Sequence, residues 1–328
     1  MRIVLYMKQK TNYSQYKILT SKHLNLLDFF SDNPYENCIQ RYFKNDSNNS
    51  NENITAKFIE FTYNYVLKSL NKYSNKFSNH IYTQPKLFTI LALKSYLNTT
   101  YRGLIEELDL MDSVKNFLGL KKVPHYTTIQ KFFKRLSSKD LKMINDIILD
   151  YQNLEPKNIA LDGTGYTSGH CDIYYARRCG KKRKGYIKNH IAIDTKSQLI
   201  LNYNANRGPK HDSRFAISSI KQLKKYKPHY ILADKAYDTE PIRQTINEYV
   251  GAFDQIPLKT RAKTGHYRIN SPTIFRPLIY AERNLVETVN SVMKRKFGGE
   301  LSSKSTELQN KETKFKDLIY NIYRTTII

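Results

Sequence analysis

The chain has 328 residues, with 54 Lys+Arg against 29 Asp+Glu and a formal charge of +25. That length allows one large domain plus a smaller one, each able to bury a core. The charge excludes an ordinary metabolic enzyme and points to a polyanionic partner, the more so because it is uneven: residues 1–155 carry 22 basic and 14 acidic side chains, residues 156–328 carry 32 and 15.

Residues 1–43 are mixed in character, with a short helix expected around 24–30. The polar stretch Asn45-Asp-Ser-Asn-Asn-Ser-Asn-Glu-Asn53 can bury nothing and reads as a linker. From 54 to 150 apolar residues recur at helical spacing. Phe58, Phe61, Tyr65 and Leu70 make one stripe; Leu87, Ile90, Leu91 and Leu97 make another, interrupted by Lys94, with Pro85 in its first turn. A shorter helix is expected at 101–108. After Pro124, Thr127 is the expected N-cap of a helix carrying Lys131, Lys134 and Arg135. Short helices ending in a capped basic one point to a helix-turn-helix-like, DNA-binding domain over 54–155. A helical bundle that only packs on the next domain is the alternative.

At Pro156 the texture changes. Asn158-Ile-Ala-Leu-Asp162-Gly is an apolar run ending in Asp, read as a buried strand whose C-terminal end presents a carboxylate. Residues 186–194 and 199–206 alternate and are joined by Thr195-Lys-Ser-Gln198, a hairpin. Asp212 is expected to cap a helix that runs to Leu223. His229-Tyr-Ile-Leu-Ala-Asp234 is a second apolar run ending in Asp. A helix from Pro241, a strand at 252–257, a basic loop, a helix around Glu287 and a final amphipathic helix at 314–323 complete the chain. The densest basic run is Arg177, Arg178, Lys181, Lys182, Arg183, Lys184 and Lys188, with Tyr174, Tyr175 and Tyr186 among them. Such a run is either a solvated face or a phosphate contact. Three cysteines, Cys38, Cys171 and Cys179, are too few for a disulfide scaffold, and with His170 they fit no standard zinc framework. No apolar run approaches the ~18 residues of a membrane span, and no secretory signal is visible. An intracellular protein with no membrane partner is expected.

On a helix, at about 100° per residue, Arg283 and Lys294 share a face with Glu287, and Tyr280 joins them if the helix reaches it. Leu285, Val286, Val289, Val292, Met293 and Phe297 fill the opposite arc. Tyr280-x2-Arg283-x3-Glu287-x6-Lys294 resembles the signature that closes the catalytic domain of many prokaryotic insertion-sequence transposases of the DDE type. The phrase Tyr-Arg-Gly (101–103) followed by Val-Pro-His-Tyr-Thr-Thr (123–128) resembles their N-terminal region.

The resemblance implies an α/β, RNase H-like domain over 156–328: a mixed five-stranded sheet with flanking helices, preceded by a smaller all-α domain. In that fold the first and fourth strands are neighbours, so Asp162 and Asp234 would stand side by side and the signature helix would bring in Glu287. It implies metal-dependent phosphoryl transfer on double-stranded DNA. Asp162, Asp234 and Glu287 would hold two Mg²⁺ (or Mn²⁺), hydrolysis would nick transposon ends, and the freed 3′-hydroxyl would attack target DNA in line. Arg283 and Lys294 would hold the Glu287 carboxyl ionised. Tyr280, Arg283 and Lys294, the basic run Arg177, Arg178 and Lys181 to Lys184, and Lys131, Lys134 and Arg135 would contact DNA. A homodimer on DNA, in the cytoplasm of a prokaryotic cell and associated with its nucleoid, is expected. Asp172, Asp194, Asp212 and Asp238 compete with Asp234. Asp194 falls at a hairpin turn, Asp212 at a helix start and Asp238 where it can cap the next helix, whereas only Asp234 directly follows Tyr-Ile-Leu-Ala. Two other classes stay open: an RNase H-like nuclease without strand transfer, and a transposase-derived DNA-binding protein that has lost its chemistry.

Overall fold

The computed structural model describes residues 53–168, 178, 180, 186–208, 213–260 and 264–328. Residues 49–328 cluster as one compact unit. Its helical part begins with α1 (Ile54–Ser69), whose first N–H groups are capped by the Asn53 side chain. There follow α2 (Gln84–Tyr96), α3 (Tyr101–Leu110), α4 (Asp112–Phe117), α5 (Tyr126–Arg135) and α6 (Ser138–Tyr151). The α5 cap is His125, two residues before the expected Thr127. His125 Nδ1 accepts from the Thr127 amide at 3.4 Å and pairs with Thr127 Oγ1 at 2.8 Å, so the threonine steadies the cap instead of forming it.

The sheet begins with β1 (Asn158–Ser168), β2 (Tyr186–Asp194) and β3 (Ile200–Arg207), an antiparallel meander. After α7 (Ser213–Leu223), β4 (Tyr230–Leu232) returns parallel to the other side of β1. Helix α8 (Glu240–Gln244) runs on as a π-helical turn, Thr245–Val250, and leads to β5 (Phe253–Gln255), parallel to β4. The path is β3-β2-β1-β4-β5, and the two-residue β6 (Glu300–Leu301) pairs with the far end of β1. In this mixed open sheet with flanking helices the first and fourth strands are neighbours, as the sequence resemblance implied, and β6 adds a short sixth strand to the five expected.

Alternation along the strands assigns the two faces. Ile159, Leu161, Ala192, Leu201, Ile231 and Ala233 bury against Ala216, Ile220 and Leu223 of α7 and Ile242 and Ile246 beyond it. The other face lies under α11 (Asn284–Phe297) and α12 (Thr306–Thr325), which follow α9 (His266–Ile274) and α10 (Pro277–Tyr280). Two expectations change here. The basic loop before the signature contains α9, whose first amides donate to Glu240 from Tyr267 and Arg268 at 3.0 and 3.1 Å. The last helix is longer than 314–323, and over Phe315–Thr325 its polar side is buried as well as its apolar one. Its second side is covered by the helical layer, with Phe88 of α2 and Phe133 of α5 edge-on to Phe315. Among the described residues no helix is long and apolar enough to cross a membrane.

Candidate active site

β1 continues six residues past Asp162, so Asp162 lies inside the strand and not at its end. The run from Gly163 to Thr167 is paired with β2. What ends near Asp162 is β4. Its pairing with β1 stops at Ala160↔Leu232, and the same register carried two residues on sets Asp162 beside Asp234. Past that point this edge of β1 stays open until β6 pairs with Thr167 and Ser168. Asp234 N-caps the 3₁₀ turn Lys235–Tyr237, its Oδ1 accepting from the Ala236 amide at 2.9 Å. The cap fixes the carboxylate at the gap where β4 leaves the sheet.

The signature helix closes over that gap. α10 passes through a tightened 3₁₀ turn, Ala281–Arg283, into α11, so the helical run does reach Tyr280. Val286, Val289, Val292, Met293 and Phe297 are buried as the pattern required, while Leu285 is only half-buried. Two polar contacts fix the helix on the sheet. Glu282 Oε2 accepts from Asn158 Nδ2 at 2.9 Å and from Thr195 Oγ1 at 2.7 Å, tying the turn to the start of β1 and to the hairpin. Asn290 Nδ2 donates to Asp162 Oδ2 at 2.9 Å. Neither residue was singled out from the sequence. Asn290 was accessible to that reasoning, because it lies three residues past Glu287 and therefore on the same side of the helix.

Arg283 stands among the carboxylates. Its Nη2 donates to Glu287 Oε1 at 2.5 Å, and its charge also acts on Asp162. Burial lifts the Asp162 carboxyl above the usual carboxylate range. The Gly163 amide and Arg283 pull it back, while the negative fields of Asp234 and Glu287 push it further up. At Asp162 desolvation thus outweighs the neighbouring cation. Burial also opposes the charge on Arg283, but its hydrogen bond and attraction to Glu287, with the field of Asp162, raise its pKa on balance. Arg283 acts on Asp162 and Glu287, and Asp234 adds its negative field at Asp162, so the carboxylates outnumber the cation; an all-oxygen donor set suits a hard divalent cation. Among the described residues no three His, Cys, Asp or Glu side chains are already drawn around an ion position; Glu287 is turned toward Arg283 instead.

The remaining expected site residues are spread out. The Tyr280 ring lies 5.9 Å from the Arg283 guanidinium and 5.2 Å from the Phe275 ring. Lys294 is half-buried, its Nζ 5.7 Å from the ring of Tyr166 on β1. Lys131, Lys134 and Arg135 are exposed on α5 in the helical layer. Arg178 is exposed, whereas Arg177, Lys181, Lys182, Arg183 and Lys184 lie outside the described residues, as do Asp172, Asp212, His170, Cys171, Cys179 and the expected helix at 24–30.

Asp194 accepts from the Lys196 and Ser197 amides and is a turn former. Asp238 is not the helix cap it was expected to be. It is fully buried between Arg243 and Arg268, and Arg243 also bonds Asp254, Ser271 Oγ and the Ile256 carbonyl. A charged core in this position has no signature in the sequence, since its members come from four separate segments.

Residues 154–317 match the transposase DDE domain family and residues 42–135 match the transposase domain family DUF772. No curated relative matches the chain. Among solved structures, a cryo-EM structure of a piggyBac transposase synaptic complex with hairpin DNA is 10% identical, with a TM-score of 0.38, covering 90% of this chain and 76% of that one. With half of its length matched by the catalytic-domain family and much of the remainder by a transposase domain, the chain belongs to the DDE transposases, which cut DNA and transfer strands in a metal-dependent reaction.

Proposed function

We propose that Asp162, Asp234 and Glu287 are the metal-binding carboxylates of this transposase and hold two Mg²⁺ (or Mn²⁺) ions. The observation that carries this is the convergence of three elements on one gap. The β1–β4 register aligns the two Asp residues, and Asn290 and Arg283 tie the Glu287 helix to the same place. Ions held there supply the charge that activates an attacking water or 3′-hydroxyl and stabilises the leaving oxygen. Asn290 holds Oδ2 of Asp162 and so fixes the orientation of the carboxylate that would ligate the ions. Arg283 gives up Glu287 and turns to a DNA phosphate, a bidentate partner of matching shape. Tyr280 backs the guanidinium, and Lys294 reaches a phosphate farther along the helix. Residues 156–328 form the catalytic domain. Residues 54–155 bind DNA through Lys131, Lys134 and Arg135, and residues 1–53 are an N-terminal segment and linker. The basic run from Arg177 to Lys184 grips DNA beside the site. Two active sites are needed for two transposon ends, so the working form on DNA is a homodimer, in the cytoplasm of a prokaryotic cell.

The test is Mg²⁺-dependent nicking of a duplex carrying the DNA that borders the reading frame. Asp162→Asn, Asp234→Asn and Glu287→Gln should each slow nicking by at least about 100-fold, ~2.7 kcal/mol of barrier, with DNA affinity nearly unchanged. Near-normal nicking by one of them removes that residue from the set.

A further inference from the structure

At the β3 edge of the sheet, on the side away from β4, lies a groove of about 520 Å³. Four lysines line it: Lys139 and Lys142 of α6, Lys225 just past α7, and Lys314 of α12. Asp146 is the single acid among the described lining residues. Lys139, Lys142 and Lys225 are exposed. Lys139 has no hydrogen bond or ion pair among the described residues. The others are held loosely: Lys142 by Gln222 Oε1, Lys225 by Asp146 Oδ1 and Lys314 by Ser138 Oγ, each at 3.4 Å, with the Tyr226 ring 4.9 Å from Lys225 and the charge of Asp317 acting on Lys314.

Like charges brought together by separate elements repel one another, and here four of them share one lining carboxylate, Asp146, with the buried Asp317 acting on Lys314 from behind. An exposed face of one helix would explain two lysines as solvated. It does not explain convergence from three elements onto one groove, which only an external anion would relieve. The donors are flexible ammonium groups acting as point charges, with no guanidinium fork to fix one anion's orientation. That chemistry fits the repeated phosphates of a nucleic-acid backbone. The groove is also distinct from the carboxylate gap. In the cross-strand row Asp162–Ile191–Tyr203, the lining residue Tyr203 stands two strand spacings, about 10 Å, from Asp162. Between them α12 covers β3 and α11 covers β1. One phosphate cannot serve both places, whereas DNA that extends past the cleavage point can.

We propose that the Lys139–Lys142–Lys225–Lys314 groove is a second DNA-backbone site, holding phosphates of DNA that continues beyond the carboxylate gap. It rests on the DNA-transposing function of the family and not on the assignment of the three carboxylates. The test is the dependence of duplex affinity on salt, measured without divalent cations on the full chain with Lys139→Gln, Lys142→Gln and Lys225→Gln combined. Each lost phosphate contact lowers the log–log slope by roughly 0.9, so a fall of about 2 to 3 is expected, with an unchanged melting temperature. Lys139→Gln alone, at an exposed residue with no partner among the described residues, should lower the slope by about 0.9 and guards against a folding defect in the triple variant. An unchanged slope in both variants overturns the proposal. So does a pyrophosphate-induced rise in melting temperature that the triple variant loses while its DNA slope stays at the wild-type value, because the groove would then serve a small anion. Asp162→Asn should keep the wild-type slope, which separates this site from the catalytic one.

Discussion

Single side chains decide whether the carboxylates can act together. Asn290 is a positioning residue: it occupies Asp162 Oδ2 and so orients the other oxygen. Partners of metal ligands typically contribute about 10- to 100-fold in metal affinity or activity. Asn290→Ala should therefore weaken Mn²⁺ binding by about 10-fold, read by titration calorimetry, while DNA affinity stays constant; unchanged Mn²⁺ affinity would reduce Asn290 to a packing contact. Lys294 differs. It sits almost two turns past Glu287, about 10 Å along the axis, and leans over Tyr166. Lys294→Ala should weaken end binding and strand transfer and spare metal affinity, with Lys294→Arg retaining more activity. Equal losses of metal affinity in Lys294→Ala and Glu287→Gln would contradict the placement of this face.

At the scale of elements, two buried polar devices hold the catalytic layer in place. Arg243 ties α8 to β5 and α9 through Asp238, Asp254 and Ser271. Removing one partner of a buried ion pair leaves an uncompensated charge, at a cost of about 3–5 kcal/mol. Arg243→Met, which strands Asp254 and leaves Asp238 to Arg268, should therefore lower the melting temperature markedly; loss of less than about 1 kcal/mol would show that the network is replaceable.

The second device is Asp317 on α12, fully buried and hydrogen-bonded by Asn189 at 2.6 Å. Burial pushes its carboxyl from the ordinary 3.8 up to about 8, while Asn189 and the charges of Lys314 and Lys316 work the other way. The folded chain then keeps a proton that the unfolded chain has lost, so this group makes stability fall as pH rises between about 4 and about 8. Burial lowers Lys316 to about 8, so it titrates at and above the top of that window. Tyr166 and Tyr203, which share the Asp317 environment, are raised and stay neutral throughout. Asp317→Asn should match the parent near pH 4 and exceed it by a margin in melting temperature that grows to pH 8. A constant margin across that range would place the Asp317 titration elsewhere.

Across the whole molecule, the sheet was legible because its strands announce themselves. Asn158-Ile-Ala-Leu-Asp162 and Tyr230-Ile-Leu-Ala-Asp234 are short apolar runs with a polar stop, and the meander 186–206 alternates. The second half of β1 was missed because its Gly, Thr and Ser residues break the apolar run; it is a strand because β2 pairs with it from His190 to Tyr186. The burial of α12 depends on Phe88 and Phe133, more than 180 residues earlier, and no local pattern carries that. Helix α9 likewise takes its cap from Glu240, across β5. Of the candidate site, the carboxylates and the Tyr-Arg-Glu-Lys spacing could be read directly. The residues that hold them in position, Glu282 and Asn290, required the packing of α11 on β1.

The central claim is that Asp162, Asp234 and Glu287 bind divalent metal as a set, and site-directed backbone cutting tests it without any knowledge of the transposon ends. Fe²⁺ substituted for Mg²⁺ generates hydroxyl radicals in the presence of ascorbate and peroxide, and these cut the chain beside the ligands. Mass spectrometry of the full-length protein bound to duplex DNA should find cuts next to residues 162, 234 and 287, all suppressed by excess Mg²⁺. Cutting confined to other segments, or to only one of these three, would contradict the account.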